Sequence, residues 1–222
     1  MRNYLKSLLL IIGLTAFCGS ADAQYYQIAN QLPGLIRPAL AGGASYKGFV
    51  DVAYLKGLGS KQVDFVNVST SQGFKYRDWF YMGVGIGVDV AMGHTNDNFG
   101  LNHPENSYWN HGYSKTGVMI PIFTDFRFNI GGQTKPSFYI DARIGASFLM
   151  TDNYLAVGDG FITNREYFYL RPSLGVRLPI NQSGKQAVDI GVTYQLLTAN
   201  YAWDRQFSTT VNALGAVVSF EW

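Results

Sequence analysis

The chain has 222 residues, with 17 basic and 15 acidic side chains and a formal net charge of +2 at neutral pH. This near balance argues against a nucleic-acid partner, which would need an excess of basic side chains. The single cysteine, Cys18, excludes a disulfide framework, so other interactions must stabilise the fold. The length suits one domain of ordinary size.

Residues 1–23 have the pattern of a cleaved signal peptide. A basic start is followed by the apolar run "LLLIIGLTAF", and small residues then provide a cleavage site after Ala23. Lipid attachment at Cys18 is the alternative anchor, but the bulky Phe17 before it fits such a site poorly. No later segment has 18 consecutive apolar residues, so the sequence predicts no transmembrane helix.

The rest of the chain repeatedly alternates apolar and polar residues with the period of two that is typical of β-strands. In "MGVGIGVDVAMG", Val84, Ile86 and Val88 share one parity, whereas the glycines and Asp89 share the other. These glycines resemble a dinucleotide-binding loop, but no helix follows them, which argues against a nucleotide site. Eight strands are predicted, at residues 45–55, 62–72, 79–92, 115–130, 137–150, 166–180, 187–198 and 209–222.

The connections alternate in length. Short turns around "KYRD", "GGQTK" and "NQSGKQ" follow the second, fourth and sixth strands, and long polar loops at 93–113 and 151–165 follow the third and fifth. Bacterial outer-membrane barrels have this layout, with the short turns on the periplasmic side. In the second strand Val63 and Phe65 fall on the polar parity, which predicts a β-bulge there.

Three features favour a membrane barrel over a soluble β-sandwich, which would show the same alternation. The predicted strands are about 11 to 16 residues long, enough to cross a bilayer at a tilt. Glycines collect on the polar parity, where a narrow lumen needs small residues. The chain ends with Val218, Phe220 and Trp222 on one parity, which resembles the assembly signal of outer-membrane barrels. We therefore predict an all-β fold, a closed antiparallel transmembrane β-barrel of eight strands over residues 44–222.

The polar parity predicts which side chains fill the lumen. Eight strands leave a bore that side chains just fill, and an unpaired ion buried there is costly. We therefore expect six acids and five bases to pair into a plug, although a selectivity or proton pathway is the alternative. These residues are Lys47, Asp51, Asp89, Asp125, Arg127, Asp141, Arg143, Arg171, Arg177, Asp189 and Glu221.

Aromatic side chains near the strand ends are predicted to form girdles at the membrane interfaces. These residues are Tyr54, Trp79, Phe80, Tyr81, Phe138, Tyr139, Phe148, Tyr167, Phe168, Tyr169 and Trp222. Other aromatics lie in or beside loops, where they are expected to pack locally, with carbohydrate stacking as the alternative. Those residues are Tyr108, Trp109, Tyr113, Tyr201 and Trp203.

All three histidines, His94, His103 and His111, lie in the loop predicted at 93–113. Together with Asp97 and Glu105 they are of the ligand types that zinc prefers, and a histidine base with Ser107 or Ser114 would suit a hydrolase. Their spacing matches no compact metal motif, and no strand-to-helix turn presents a nucleophile. We therefore expect no metal, no cofactor and no enzymatic activity.

Several stretches resemble a known family. "YKGFVDVAY", "NVSTSQGF", "GVGIGVDV" and "IPIFTDFRFNI", with the terminal Trp222, are similar to the small outer-membrane β-barrel proteins of Bacteroidota, an OmpA-type barrel-like family labelled outer-membrane protein β-barrel domain. The resemblance covers residues 44–222 and implies location and architecture, with no catalytic residues. Residues 24–43, which contain Pro33 and Pro38, are expected to form a periplasmic tail or to lie at the barrel mouth.

These observations predict a protein of the cell outer membrane with a structural, adhesion or surface-interaction role, exerted through its extracellular loops. The expected partners are outer-membrane lipids, the barrel assembly machinery and a surface glycan or protein. A narrow channel for small solutes is the first alternative. A hydrolase that modifies lipids of the outer leaflet is the second.

Overall fold

The computed structural model of the chain describes residues 44–77, 79–95, 113–158, 160–162, 164–199 and 209–222. The predicted leader 1–23 and the segment 24–43 lie outside these residues. Strands are the only regular elements in the described part of the chain. In particular, it contains no helix long and apolar enough to cross a membrane.

The strands are β1 (Ala44–Leu58), β2 (Val63–Tyr76), β3 (Phe80–Gly93), β4 (Tyr113–Ser114), β5 (Thr116–Ile130), β6 (Ser137–Leu149), β7 (Tyr154–Val157), β8 (Gly160–Ile162), β9 (Glu166–Pro179), β10 (Ala187–Ala199) and β11 (Thr209–Glu221). The eight long strands form a closed barrel in the order β1–β2–β3–β5–β6–β9–β10–β11, and β11 pairs back with β1. Every neighbouring pair is antiparallel. The predicted fold class is therefore confirmed.

The two faces of the barrel differ in chemistry. On β3, Ile86 is 51% exposed on the outside, whereas Asp89 on the opposite parity is 0% exposed. The other strands repeat this arrangement, with Val52, Ile140 and Ile190 among the aliphatic residues on the outer face. A sandwich is excluded because the sheet closes on itself, and such an apolar exterior is stable in hydrocarbon rather than in water. The chain is a transmembrane β-barrel.

The two ends of the barrel have different connections. One end carries the short turns 77–79, 131–136 and 180–186, together with the start of β1 and the end of β11. We call it the turn end. The opposite end, which we call the loop end, carries the connections 59–62, 94–115, 150–165 and 200–208.

The predicted bulge in β2 is wrong. The register of β2 is uninterrupted, with Phe65 opposite Leu55 of β1 and Val63 opposite Gly93 of β3. Val63 and Phe65 break the polar parity because the loop end of the lumen is itself apolar, so apolar side chains point inward there. The strand also continues past residue 72 to Tyr76.

Three short strands lie in segments that were predicted to be polar loops. β4, β7 and β8 form a separate three-stranded sheet at the loop end, with β7 in the middle. β7 pairs parallel with β4 and antiparallel with β8. The apolar stretch "YLAV" of β7 is the sequence signal for this sheet, and a loop exposed to solvent would not need it.

Candidate functional site

The structure places all eleven predicted lumen charges on the inner face of the barrel, each no more than 5% exposed. It adds Lys75, which is fully buried and belongs to β2, because that strand continues beyond its predicted end into the predicted "KYRD" turn. With Lys75, the described residues place six acidic and six basic side chains in the lumen. We call these twelve residues the charged layer.

Glu221 is the centre of the charged layer at the turn end. Its carboxylate oxygens lie 3.1 Å from Nζ of Lys47, 3.2 Å from Nζ of Lys75 and 2.5 Å from Nε of Arg177. Arg177 also donates to the carbonyl oxygens of Gln133 and Gly184, each at 2.8 Å. Because these carbonyls belong to two different turns, Arg177 links the two turns by hydrogen bonds across the turn end of the lumen.

Arg127 is a second centre, farther from the turn end. Its guanidinium nitrogens lie 2.5 Å from Asp189, 3.3 Å from Asp141 and 3.6 Å from Asp51. The guanidinium carbon also lies 4.0 Å from the centre of the Phe49 ring, a cation–π distance. Three carboxylates from three strands therefore meet at one guanidinium group.

Arg143 connects the same acids to the strands on the other side of the lumen. Its nitrogens lie 2.8 Å from Asp51, 3.2 Å from Asp141 and 3.7 Å from Asp125. It also donates to the hydroxyl of Ser69 at 3.0 Å. Asp51 and Asp141 thus bridge Arg127 and Arg143 into one network.

Ten of the twelve charges have an opposite charge within 4.0 Å among the described residues, and Asp89 and Arg171 are bound instead by neutral side chains. Asp89 accepts hydrogen bonds from the amides of Asn67 and, at 3.2 Å, Gln195. Nε of Arg171 donates to the Thr193 hydroxyl at 3.1 Å. These two residues lie where the charged layer meets the apolar part of the lumen.

The loop-end half of the lumen is lined by apolar side chains of the barrel strands, and we call it the apolar chamber. Its lining residues are Ala53, Leu55, Val63, Phe65, Ala91, Met119, Phe123, Leu149, Tyr167, Tyr169, Leu197, Ala199, Val211, Ala213 and Val217. Leu155, Val157 and Ile162 of strands β7 and β8 are buried in the same cluster. Because these two strands belong to the connection between β6 and β9, they cover the chamber from the loop end, and we call them the cap.

The chamber has an aromatic floor. The rings of Phe123 and Tyr169 lie 5.8 Å apart, and the guanidinium of Arg143 lies 5.0 Å from the Phe123 ring. These aromatic rings therefore separate the charged layer from the aliphatic side chains. A Cβ atom at Gly85 would collide with the Phe123 ring, so this glycine of the stretch "MGVGIGVDVAMG" makes room for the floor.

A polar cluster lies on the outer face at the loop end. Asp64 accepts hydrogen bonds from the backbone N–H of Gly57 at 2.8 Å and from the hydroxyl of Tyr54 at 3.1 Å. Nε2 of His94 lies 2.9 Å from the same carboxylate. The backbone of His94 also bonds to Gln62 and to Gly158 beside the cap. These contacts of His94 thus link the end of β3 to the start of β2 and to the connection that carries the cap.

Most of the other predicted loop residues are outside the part of the chain that the structure describes. His103, His111, Asp97, Glu105 and Ser107 lie outside the described residues, as do Tyr108, Trp109, Tyr201 and Trp203. The hydroxyl of Ser114 accepts a hydrogen bond from the N–H of Thr116 at 3.1 Å. The described part of the chain contains no group of three histidine, cysteine or acidic side chains that could hold a metal ion.

The predicted aromatic girdle is correct only in part. Trp79, Phe138, Phe168 and Trp222 are on the outer face, but Tyr81, Tyr139, Tyr167 and Tyr169 are buried inside the barrel. These four tyrosines share the polar parity of their strands, which sends them into the lumen despite their positions near strand ends. The place of a residue in the alternating pattern therefore sets the direction of its side chain, even where an aromatic ring would favour the membrane interface.

The predicted assembly residues Val218, Phe220 and Trp222 lie on the outer face of β11. The rings of Phe220 and Trp222 stack with their centres 6.1 Å apart. The backbone N–H of Trp222 donates to the carbonyl of Gly48 at 3.1 Å, and a Cβ atom at Gly48 would collide with the indole. The last residue therefore packs over the seam between β11 and β1.

Comparisons with known proteins support this architecture. No protein-family model matches the chain, and no curated protein matches its sequence. The crystal structure of Neisserial surface protein A (NspA) is similar, with a TM-score of 0.51 and 14% identity over 81% of this chain and 97% of that one. The outer membrane enzyme PagL has a TM-score of 0.50 and 14% identity over 77% and 97%. At this level of identity the likeness concerns the fold alone.

The chain is a β-barrel of the outer membrane. The deciding observation is the closed sheet with an aliphatic exterior and a charged interior, since only a closed barrel satisfies every strand edge inside hydrocarbon. Its eight strands cross the bilayer, and the lumen between them is occupied by the charged layer and the apolar chamber.

Proposed function

We propose that this protein is a non-conducting barrel that anchors an interaction surface in the outer membrane. The supporting observation is the filling of the lumen along its length, with ion pairs in the turn-end half and aliphatic side chains in the loop-end half. A pore of the porin type needs a continuous path for water. The charged layer and the apolar chamber both stand in the way of such a water path.

Single-channel recording in planar lipid bilayers tests the closed lumen. Purified protein, folded into the bilayer, is expected to give no conductance steps above the lipid background. Folding before insertion is checked by the change in gel mobility between unboiled and boiled samples. Reproducible steps of one size, lost after boiling, would favour the narrow channel instead.

The interaction surface is assigned to the loop end, which we propose is extracellular because short turns are periplasmic in barrels of this type. Ser60 at the loop end and Gly132 at the turn end are both exposed, so they form a matched pair for labelling. In a Cys18→Ser background, Ser60→Cys is expected to react with a membrane-impermeant maleimide on intact cells. Gly132→Cys should react only after the outer membrane is permeabilised, and the reverse pattern would invert the topology.

A surface glycan or an envelope protein is the proposed contact of the loop end. The resemblance of the strands to small barrels of Bacteroidota implies location and architecture, and on that ground we propose membership of the family. The closed lumen and the long connections of the loop end support the proposed contact. Retention on arrays of surface glycans and envelope proteins is expected for the folded protein in nanodiscs. Equal retention of nanodiscs without the protein would contradict it.

We propose no catalytic activity. A lipid hydrolase at the outer leaflet would need a hydroxyl nucleophile beside His94, and the described contacts of His94 are with Asp64, Gln62 and Gly158. Mass spectrometry of outer-membrane lipids from cells with and without the protein tests this. We expect identical lipid profiles, whereas loss of an acyl chain that is prevented by His94→Ala would favour the hydrolase.

A further inference from the structure

Among the described residues, the cap differs from the rest of the lumen filling because it is not part of the barrel wall. Leu155, Val157 and Ile162 are 3–4% exposed, yet they belong to the connection between β6 and β9. The remaining side chains of the apolar chamber come from the long strands, whose positions the closed sheet fixes. The cap can therefore leave without any barrel strand changing its partner.

Backbone contacts among the described residues join the tip of the cap to the segment that follows β3. The N–H of Gly158 donates to the carbonyl of His94 at 2.6 Å, and a single parallel bridge joins Gly158 to Thr95. Its parallel pairing with β4 covers only Tyr113 and Ser114. By contrast, each pair of neighbouring barrel strands is joined along most of its length. Among the described residues, the cap is thus paired with β4 over a much shorter length than the barrel strands are paired with one another.

Packing between the cap and the wall is incomplete. A cavity of about 10 Å³ lies between Leu155 and Ile162 of the cap and Val63, Phe65 and Met119 of the wall. A cavity of that size could hold about one water molecule, but an apolar lining offers it too few polar partners. Tyr167 is the lining residue that carries a hydroxyl group, and this hydroxyl already donates to the carbonyl of Asn164 at 2.9 Å.

Within the described part of the chain, the chamber is bounded differently at its two ends. The charged layer and the aromatic floor of Phe123 and Tyr169 close it toward the turn end. If the cap moves outward, the aliphatic wall becomes exposed to water, which is unfavourable unless another apolar group replaces the three cap side chains. A replacement of the same chemistry would restore the buried apolar area.

We propose that the apolar chamber is a binding site for a small neutral hydrocarbon group, which enters from the loop end and takes the places of Leu155, Val157 and Ile162. The cap side chains occupy the site when the ligand is absent. The hydrocarbon can come from a free molecule or from a lipid acyl chain, since both present the same chemistry to the wall. This site is independent of the surface contacts proposed above.

Photolabelling of the folded protein in nanodiscs tests the proposal. One arm uses a short diazirine-bearing alkane added from water, and the other uses phospholipids with a diazirine in the acyl chain. Adducts on the inward residues Met119 and Leu149 report occupancy of the chamber, whereas adducts on the outward Val118 report contact with bulk lipid. Inward labelling in either arm supports the site, and the arm that gives it identifies the source of the hydrocarbon.

Two variants make the test specific. Ala91→Phe places a ring in the chamber from a fully buried wall position and should lower inward labelling. A loss of about 1.4 kcal/mol in binding free energy lowers subsaturating occupancy by about tenfold. Leu155→Ala/Ile162→Ala weakens the cap, so it should raise inward labelling even if the first variant does not fold. Labelling confined to outward residues in both arms, with the weakened cap as well, would overturn the proposal.

Discussion

The two halves of the lumen share one wall but are filled in different ways. In the turn-end half, long charged side chains from all eight barrel strands meet across the bore, and Arg127 alone contacts acids from β1, β6 and β10. In the loop-end half, shorter aliphatic side chains leave a space that the wall does not fill, and the cap enters from outside the barrel. The charged half is thus complete within the barrel, whereas the apolar half needs an added segment.

This difference follows from the physics of the two interactions. Ion pairs are directional and must be satisfied within the rigid register of the strands, since a buried charge without a partner is costly. Apolar packing is non-directional, so any segment with aliphatic side chains can complete it. The apolar half is therefore the place where the interior can exchange one occupant for another.

Removing the central guanidinium should have the largest effect on stability. Arg127→Met removes the ion-pair partner of Asp189 and one of the two guanidinium partners of Asp51 and Asp141. We expect the free energy of unfolding to fall by about 3–5 kcal/mol. Urea titration in phospholipid vesicles, followed by tryptophan fluorescence, measures this change. Adding Asp189→Asn should recover part of the loss, and a loss below about 1 kcal/mol would contradict the network.

Truncation in the apolar chamber should have the next largest effect. Leu55 is fully buried in the wall, so Leu55→Ala should lower the free energy of unfolding by about 2–5 kcal/mol through lost burial and a new cavity. The same titration measures it. Unlike Arg127→Met, this loss should not be recovered by removing any acid of the charged layer. Recovery by Asp189→Asn would show that the two halves are not independent.

Coupling between charges at the turn end should be smaller. Lys75→Met and Glu221→Gln each remove one partner of a 3.2 Å ion pair. The double variant should lose less than the sum of the single variants, with a coupling energy of about 1–3 kcal/mol. A thermodynamic double-mutant cycle from four unfolding titrations measures this term. Strict additivity would mean that Lys75 is held by something other than Glu221.

The smallest effect is expected on the outer face. Ile86 faces lipid, and Ile86→Ala should cost about 1 kcal/mol because fluid acyl chains fill the space that the side chain leaves. Its comparison with Leu55→Ala separates the cost of lost apolar contact from the cost of a cavity. A loss equal to that of Leu55→Ala would show that the lipid does not fill this space.

Sequence patterning anticipated the charged half well, because alternation with a period of two assigns each residue of a strand to one face. The eleven charges on the polar parity are all in the lumen, and Lys75 was missed only because β2 was predicted to end before it. The same rule, applied consistently, would have placed Tyr81 and Tyr139 inside the barrel. Position near a strand end was a weaker indicator of which face of the barrel an aromatic side chain lies on.

The apolar half was not anticipated. Phe65 and Val63 looked like a register fault because the lumen was expected to be polar throughout, and residues 154–162 looked like part of a polar loop. Both misreadings have one cause, since a chamber that is completed by a separate segment involves contacts between residues distant in sequence. Alternation within one strand carries no information about such contacts.

The sequence by itself determined the strands, their two faces, and the closed barrel that buries the charges and presents aliphatic side chains to lipid. These features are local, because each follows from the parity of neighbouring residues and from the lengths of the connections. Only the tertiary structure decided which acid pairs with which base, and that the lumen changes from charged to apolar. It alone showed the cap completing the chamber, because strand register and the path of the long connection set the distances across the bore.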